Sequence, residues 1–394
     1  MSAPDLEAFR AEVRDWIAEH CPASVRNPLL GEEARYQGGP NFPFTNDEHR
    51  QWFEACRDRG WTAPDWAKEY GGGGYSPAEA AVIWDEMRRV DAIRPLNGTG
   101  LSMAGPAILQ FGSEEVKRRF LPMIASGETC WCQGFSEPDA GSDLAGLKTR
   151  AVSDGDDYII NGSKIWTTFA HRSDWMFGLV RTDPSVKQRG ITFLLIDMRT
   201  PGIEVRPIRM INGHSVFNEV FFTDVRVPKA NVVGAENHGW SVAKYLMERE
   251  RDTVAEFGFS GDLELEGYAR KSGLWQEGRI TDPQLRLELA EAEVDSWALD
   301  CSLRRFAEEK EAGRESGAYS SVLKYCGSRI YAARAEMVVT LLGAEGLEWR
   351  SVHDGDDKDT AAMAWLLAKA VPILGGTSEI QLNIISRAIL NLPS

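Results

Sequence analysis

The densest run of side chains able to move a proton is Glu248-Arg249-Glu250-Arg251-Asp252. On a helix, residues two apart point about 200° away from each other, so Glu248 and Glu250 cannot both face one site. Alternating charges of this kind ordinarily make a solvated face. Another carboxylate, Glu379, follows Gly375-Gly376-Thr377-Ser378. There Thr377 or Ser378 would cap a helix, and Glu379 would lie near its positive end. Other chemistries find little support. Gly134-Phe135-Ser136-Glu137-Pro138 lacks the Gly-x-Ser-x-Gly of a nucleophile elbow. The 6 histidines show no metal spacing, and none of the 6 cysteines forms a C-x-x-C pair. Gly71 to Gly74 follow no strand and precede no Lys-Ser/Thr, so they read as a turn and not a phosphate loop.

The elements that must position such residues come in three blocks. Leu6, Phe9, Val13 and Trp16 recur at helical spacing after Pro4-Asp5. Residues 45–59 and 77–90 read as further helices, and Ser113 caps another with Glu114 and Glu115 in its first turn. Beyond residue 128 the pattern becomes strand-like at 158–160, 165–168, 175–180, 191–196, 204–208 and 219–222. Asp154-Gly155-Asp156, Asn161-Gly162, Pro201-Gly202 and Asn212-Gly213 serve as turns. Short strands of this kind predict an antiparallel sheet or barrel. From Gly239 onward the stretches 239–271, 282–311, 314–343 and 378–391 are long and amphipathic, as in a helical bundle.

Composition agrees with a folded, acidic protein. The chain has 394 residues, 43% hydrophobic and 26% charged, with 44 Lys plus Arg against 59 Asp plus Glu and a net charge of −15. That balance argues against a nucleic-acid surface but leaves room for a small basic pocket. No apolar run approaches the roughly 18 residues of a membrane span. The first twenty residues are acidic and amphipathic, unlike a signal peptide, so a reduced cytoplasmic protein is expected.

Three longer strings carry a resemblance: WCQGFSEPDAGSDLAGLKTRA at 131–151, NGSKIWTTFAHRSDWMFGLVRT at 161–182, and PILGGTSEIQLNIISRAILNLP at 372–393. In order and spacing they resemble the acyl-CoA dehydrogenase family over nearly the whole chain. The resemblance implies an α+β fold: an N-terminal helical domain (1–127), a central antiparallel β domain (128–235) and a C-terminal four-helix bundle (236–394). It also implies FAD as cofactor and α,β-dehydrogenation of an acyl-CoA thioester. A flavin needs hydrogen-bond donors at its polar edge and an apolar or aromatic surface at its face. Gln133, Phe135 and Ser136 fall where relatives line the flavin, and Trp166 and Thr168 fall at the matching Trp-x-Thr. Ser142 falls where relatives bind the acyl-CoA, and Gly141 would let the backbone pass close to it. Taken singly, Trp166 could instead be a core residue and Ser142 a helix cap. In the family the thioester carbonyl is polarised by a flavin ribityl hydroxyl and the catalytic glutamate's backbone N–H.

Many relatives carry the base in a C-terminal Tyr-Glu-Gly-Thr; here Gly375 stands at the glutamate position. The family's other base location, on the first long bundle helix just before an Arg, matches Glu250 when anchored on Arg251, Ala255 and Gly258. Glu250 is therefore the expected base, with Arg251 supporting the substrate or its CoA portion. Glu379 is the runner-up carboxylate, and Thr377 and Glu379 are expected beside the cofactor.

The chain departs from the family elsewhere too. No Phe-Gly follows Arg270, and Thr340-Leu341-Leu342-Gly343-Ala344-Glu345-Gly346 replaces Gln-x-x-Gly-Gly-x-Gly, so half of the usual flavin phosphate site is altered. This is similar to the bacterial subfamily of the pimeloyl-CoA dehydrogenase large subunit and the sterol-degradation dehydrogenases. That likeness implies either an α2β2 tetramer with a second dehydrogenase-like chain, or a homotetramer or homodimer using Arg270, Lys271 or Arg279 instead. It also points to a bulky, steroid-derived or dicarboxylic acyl group and to an electron-transferring flavoprotein as acceptor. Gly375 keeps open a flavin monooxygenase on the same scaffold, or a non-catalytic binding protein.

Overall fold

The computed structural model describes residues 3–26, 35–256, 265–314, 317–349 and 360–393. They form two compact units, one of Met1–Ile208 with Ser215–Tyr245 and one of Arg209–His214 with Leu246–Ser394.

The first unit begins with helices α1 (Ala3–His20), α2 (Asp47–Asp58), α3 (Pro77–Arg89), α4 (Gly105–Phe111) and α5 (Glu114–Ala125). Asn46, Ser76 and Ser113 cap α2, α3 and α5 by accepting from the backbone three residues on, contacts worth about 1 kcal/mol each. Val13, Ile17, Trp52, Trp61, Ile83 and Met87 pack as one core. Within it Trp52 donates its indole N–H to Ile93 O at 3.0 Å. The Gly71–Gly74 segment is the expected turn: Gly71 and Gly74 have φ of 83° and 68°, and a Cβ on Gly72 would lie 2.3 Å from Trp66 O.

The rest of this unit is a seven-stranded sheet: β1 (Trp131–Gly134), β2 (Arg150–Asp154), β3 (Asp157–Thr168), β4 (Trp175–Arg181), β5 (Ile191–Asp197), β6 (Ile203–Pro207) and β7 (Phe217–Pro228). Their order is β1-β4-β2-β3-β7-β6, with β5 also on β4. The sheet is not purely antiparallel as expected. β1 runs parallel to β4, and β2 meets β4 in parallel at Arg150 and Arg181. The β2–β3 hairpin lies between β1 and β4 in the chain and supplies the long connection that parallel pairing needs. Asn161-Gly162 also does not separate two strands. It is a bulge inside one long strand, with Gly162 at φ 145° and Asn161 exchanging hydrogen bonds with Asp224 of β7.

The second unit contains most of α6 (Gly239–Glu256), then α7 (Leu265–Lys271), a small hairpin β8–β9 (Trp275–Gln276, Arg279–Ile280), α8 (Pro283–Glu311), α9 (Tyr319–Leu342), α10 (Ala361–Ala368) and α11 (Ser378–Ala388). The expected 239–271 helix is thus α6 and α7, and its residues 257–264 lie outside the described residues. Helix α9 is the centre, packing against α7, α8, α10 and α11. Leu265, Leu285, Val338, Leu341 and Ala368 fill that core. Helix α10 and the hairpin escaped sequence reading: AAMAWLLA has no polar face to show a period, and the hairpin strands are two residues each.

One buried carboxylate organises the N-terminal helices. Glu86 is 2% exposed and receives hydrogen bonds from Arg10, Arg14 and Arg89. The Arg14 hydrogen bond, opposed by burial and joined by Arg89 and Arg10, brings its pKa down from 4.5 to about 2. A depressed carboxylate stabilises the fold above its unfolded pKa and loses that contribution as pH falls through its folded one. Glu86→Gln should lower unfolding stability by about 3 kcal/mol at neutral pH. In urea titrations the gap from wild type should close between pH 4.5 and about 2.

Candidate functional site

The segment after β1 is clamped by a buried ion pair. Lys164, on β3 and 1% exposed, donates to Glu137 Oε1 at 2.8 Å and to Phe135 O at 3.1 Å. Glu137 also accepts the backbone N–H groups of Lys148 (2.6 Å) and Thr149 (2.9 Å). Burial pushes the Glu137 carboxyl up, but the Lys164 charge and these hydrogen bonds outweigh it and hold its pKa below the ordinary value. Ile165 N donates to Ser136 O at 3.0 Å. Phe135 and Ser136 are thereby pinned against β3 just where Trp166 leaves it.

Trp166 sits in a second bulge, between the Lys164–Val220 and Thr167–Asn218 pairings. Its φ is +60° and it is 54% exposed, meeting the Phe217 ring edge-on at 6.1 Å. A bulky residue in that region costs roughly 1–3 kcal/mol. Core packing does not repay it, so the reading of Trp166 as a core residue fails. Thr168 follows, half-buried, and Gln133 and Ser136 are also half-buried. Among the described residues, the side chains of Gln133, Ser136 and Thr168 make no hydrogen bond. An outward indole with three unpaired polar side chains on its own and the adjacent segment suits a flat heteroaromatic ring with a polar edge, such as a flavin, whereas Phe135 is buried edge-on against Phe177 and Phe193.

Ser142 lies on the exposed loop that follows. Glu137 and Ala140 exchange backbone hydrogen bonds at 3.0 Å, so Ser142 is no helix cap. No protein atom would lie within 4 Å of a Cβ on Gly141; the chain itself does not require that glycine. Arg181 ties this loop to its neighbour, donating to Ala145 O (2.6 Å) and Val186 O (2.8 Å), while Lys187 pairs with Asp143 at 2.8 Å. In the same unit, Gln188, Arg189, Asn237, His238, Trp240, Ser241 and Lys244 line an open depression of about 620 Å³. Sequence reading missed it because its two contributing segments lie far apart in the chain and neither carries a motif.

In the second unit, Glu250 is half-buried on α6, one turn beyond the fully buried Leu246, whereas Glu248 is exposed. The two carboxylates do face apart, as the helical period requires. Arg251 belongs to α6, but its side chain lies outside the described residues. Gly375 and Gly376 have φ of 65° and 92°. Thr377 Oγ1 accepts from Ile380 N at 3.3 Å and caps α11; Glu379 is exposed in the first turn, its pKa lowered by its own backbone N–H and by Thr377. Arg270 pairs with Glu266 at 3.0 Å and lies 4.5 Å over the Trp275 ring, so it is engaged within its own unit. Among the described residues no group of His, Cys, Asp and Glu could hold a metal, and no helix is long and apolar enough to cross a membrane.

The Lys164–Glu137 clamp is testable. Lys164→Met strands a buried carboxylate and should cost about 3–5 kcal/mol in chemical denaturation. Adding Glu137→Gln, which removes the stranded charge and keeps an acceptor for one of the two backbone N–H groups, should recover part of it.

Three family models cover the chain: the acyl-CoA dehydrogenase N-terminal domain at residues 3–128, middle domain at 132–225 and C-terminal domain at 237–390. The acyl-CoA dehydrogenase IpdE1 of Mycobacterium tuberculosis is 36% identical, over 99% of this chain and 98% of its own length. FadE34 of the same organism is 39% identical over 88% of this chain and 46% of its own. Among solved structures, the Tcur3481-Tcur3483 steroid ACAD superposes with a TM-score of 0.79 at 28% identity, covering 100% of this chain and 99% of that one. The ChsE4-ChsE5 complex from Mycobacterium tuberculosis does so with 0.75 at 29% identity, covering 100% and 99%. The chain belongs to the acyl-CoA dehydrogenase family of flavoprotein oxidoreductases.

Proposed function

We propose that this chain is the base-bearing subunit of an FAD-dependent dehydrogenase that converts a bulky, steroid-derived acyl-CoA to its 2-enoyl-CoA, with Glu250 as the base. The observation that carries the reading is the half-buried Glu250 carboxylate of α6, opposite an exposed Glu248 among the described residues, in a chain whose alternative base position is Gly375. Glu250 takes the α proton onto its carboxylate. Bound FAD would supply the N5 acceptor for the β hydride, so the substrate loses two electrons. Gln133, Ser136 and Thr168 offer hydrogen bonds to the flavin edge, and Phe135 and Trp166 wall its face. Thr377 and Glu379 belong to the cofactor side, a role compatible with capping α11. Ser142 and the 620 Å³ depression suit the CoA portion: Arg189 and Lys244 bring positive charge for its phosphates, and Trp240 a surface for its adenine. Arg251 is assigned to the same substrate.

Steroid character and a heteromeric state rest on the relatives, since the solved neighbours include a steroid ACAD and two-protein complexes. Exposed Leu287, Val294 and Trp297 on α8 recur at intervals of seven and three and leave an apolar stripe for a partner chain. A homotetramer or homodimer would use the same stripe. We place the domain boundaries near 127/128 and 235/236, the enzyme in the cytoplasm, and its electrons with an electron-transferring flavoprotein.

Anaerobic mixing of the flavin-loaded enzyme with octanoyl-CoA and with a CoA thioester of a steroid side-chain acid tests the reading. The steroid thioester should bleach the flavin, and faster than octanoyl-CoA does. No bleaching until a reductase and oxygen are supplied would favour a monooxygenase. Arg189→Ala with Lys244→Ala should raise KM for the thioester by about tenfold to a hundredfold with little change in kcat, the loss of charged hydrogen bonds to phosphate.

A further inference from the structure

Lys324 lies on α9 with no exposed surface, and a lysine is almost never buried without partners. Among the described residues both of its hydrogen bonds go to one loop: Nζ donates to Gly376 O at 2.7 Å and to Pro372 O at 3.0 Å. Gln381 of α11, also buried, holds the same loop, its Nε2 lying 3.2 Å from Gly375 O and 3.1 Å from Gly376 O. A trans peptide is planar, with its N–H opposite its C=O. Holding the Gly375 and Gly376 carbonyls therefore turns the N–H groups of Gly376 and Thr377 away from Lys324 and Gln381. Among the described residues the backbone N–H groups of Gly375, Gly376 and Thr377 donate to nothing, although all three residues are half-buried. Successive free N–H groups suit an oxygen that carries negative charge. The clamp also strengthens them. An ammonium on a carbonyl draws charge through the peptide and makes the N–H on its far side a better donor.

On the reading that the chain dehydrogenates an acyl-CoA, we propose that Lys324 is the positioning residue of a backbone donor site: its ammonium fixes and polarises the Gly375–Thr377 segment so that the free N–H groups donate to the thioester oxygen as enolate-like charge develops there. The loop thus serves the reaction without supplying a carboxylate. Gln381 supports the same arrangement without charge.

The test reads carbonyl polarisation apart from proton removal. The 2-enoyl-CoA of the steroid side-chain acid, isotope-labelled at the thioester carbonyl, is bound to saturation on the oxidised FAD-loaded enzyme, and its carbonyl stretch is measured by infrared spectroscopy. Single-turnover flavin reduction by the saturated thioester is followed in parallel, at equal FAD content. The wild type should move the stretch to lower frequency than in water. Lys324→Gln keeps a donor for the loop and removes the charge; it should lose at least half of that shift and slow flavin reduction by about tenfold to a hundredfold, with KM within about threefold. Lys324→Arg, which keeps the charge, should restore most of the shift, and Gln381→Leu should lose less of it than Lys324→Gln. Glu250→Gln should keep the full shift while flavin reduction fails, because it removes the base and leaves the loop. Lys324→Met replaces the Gln variant should that one not retain flavin. A wild type that leaves the stretch unshifted overturns the proposal, and so does a flavin-loaded Lys324→Gln or Lys324→Met enzyme with the wild-type shift. Failure of the wild type to bind the enoyl thioester, or to bleach with its saturated parent, would instead count against the dehydrogenase reading.

Discussion

A carboxylate that takes a proton from carbon has to be held by something rigid, and the loop around Gly375 is not built to hold one. Gly375 and Gly376 are both left-handed, at φ 65° and 92°. An L-residue there would cost roughly 1–2 kcal/mol before making any contact. A Cβ on Gly376 would also lie 2.6 Å from the Gln381 amide. On the proposed reading the base comes from a regular element instead, helix α6, where Leu246 and Glu250 share a face and Glu248 is turned to solvent. The loop keeps a different task, presenting carbonyls to Lys324 and Gln381.

The flavin-type face of the sheet follows the same logic of rigid support beneath a strained display. The Glu137–Lys164 pair locks the segment after β1, and the bulge at Trp166 throws an indole outward at positive φ. Strain of that kind persists only where its surroundings over-determine it. Here the surroundings are the nine-residue pairing of β3 with β7 and the Ile165–Ser136 hydrogen bond.

Much of this was legible in the sequence because local signals and family motifs agreed. Asn46, Ser76 and Ser113 announced their helices, and the WCQGFSEP and WTT strings placed Gln133, Phe135, Ser136, Trp166 and Thr168 on adjacent segments. Other features depend on long-range pairing, which composition and period do not encode. The parallel β1–β4 pairing is one, and the bulge that replaced an expected Asn161-Gly162 turn is another. Lys164 and Lys324 were invisible for the same reason: a lysine reads as surface until its buried partners are known. The basic depression at Arg189 and Lys244 joins segments roughly fifty residues apart and has no signature of its own.

Glu250 as the base is tested by the rate of anaerobic flavin reduction by an acyl-CoA substrate in Glu250→Gln, beside wild type, at equal FAD content. The variant should keep its flavin and bind the thioester but be reduced at least about a thousandfold more slowly. A flavin-loaded Glu250→Gln enzyme that is bleached at the wild-type rate would contradict this assignment and return the search to Glu379 or to a carboxylate of a partner chain.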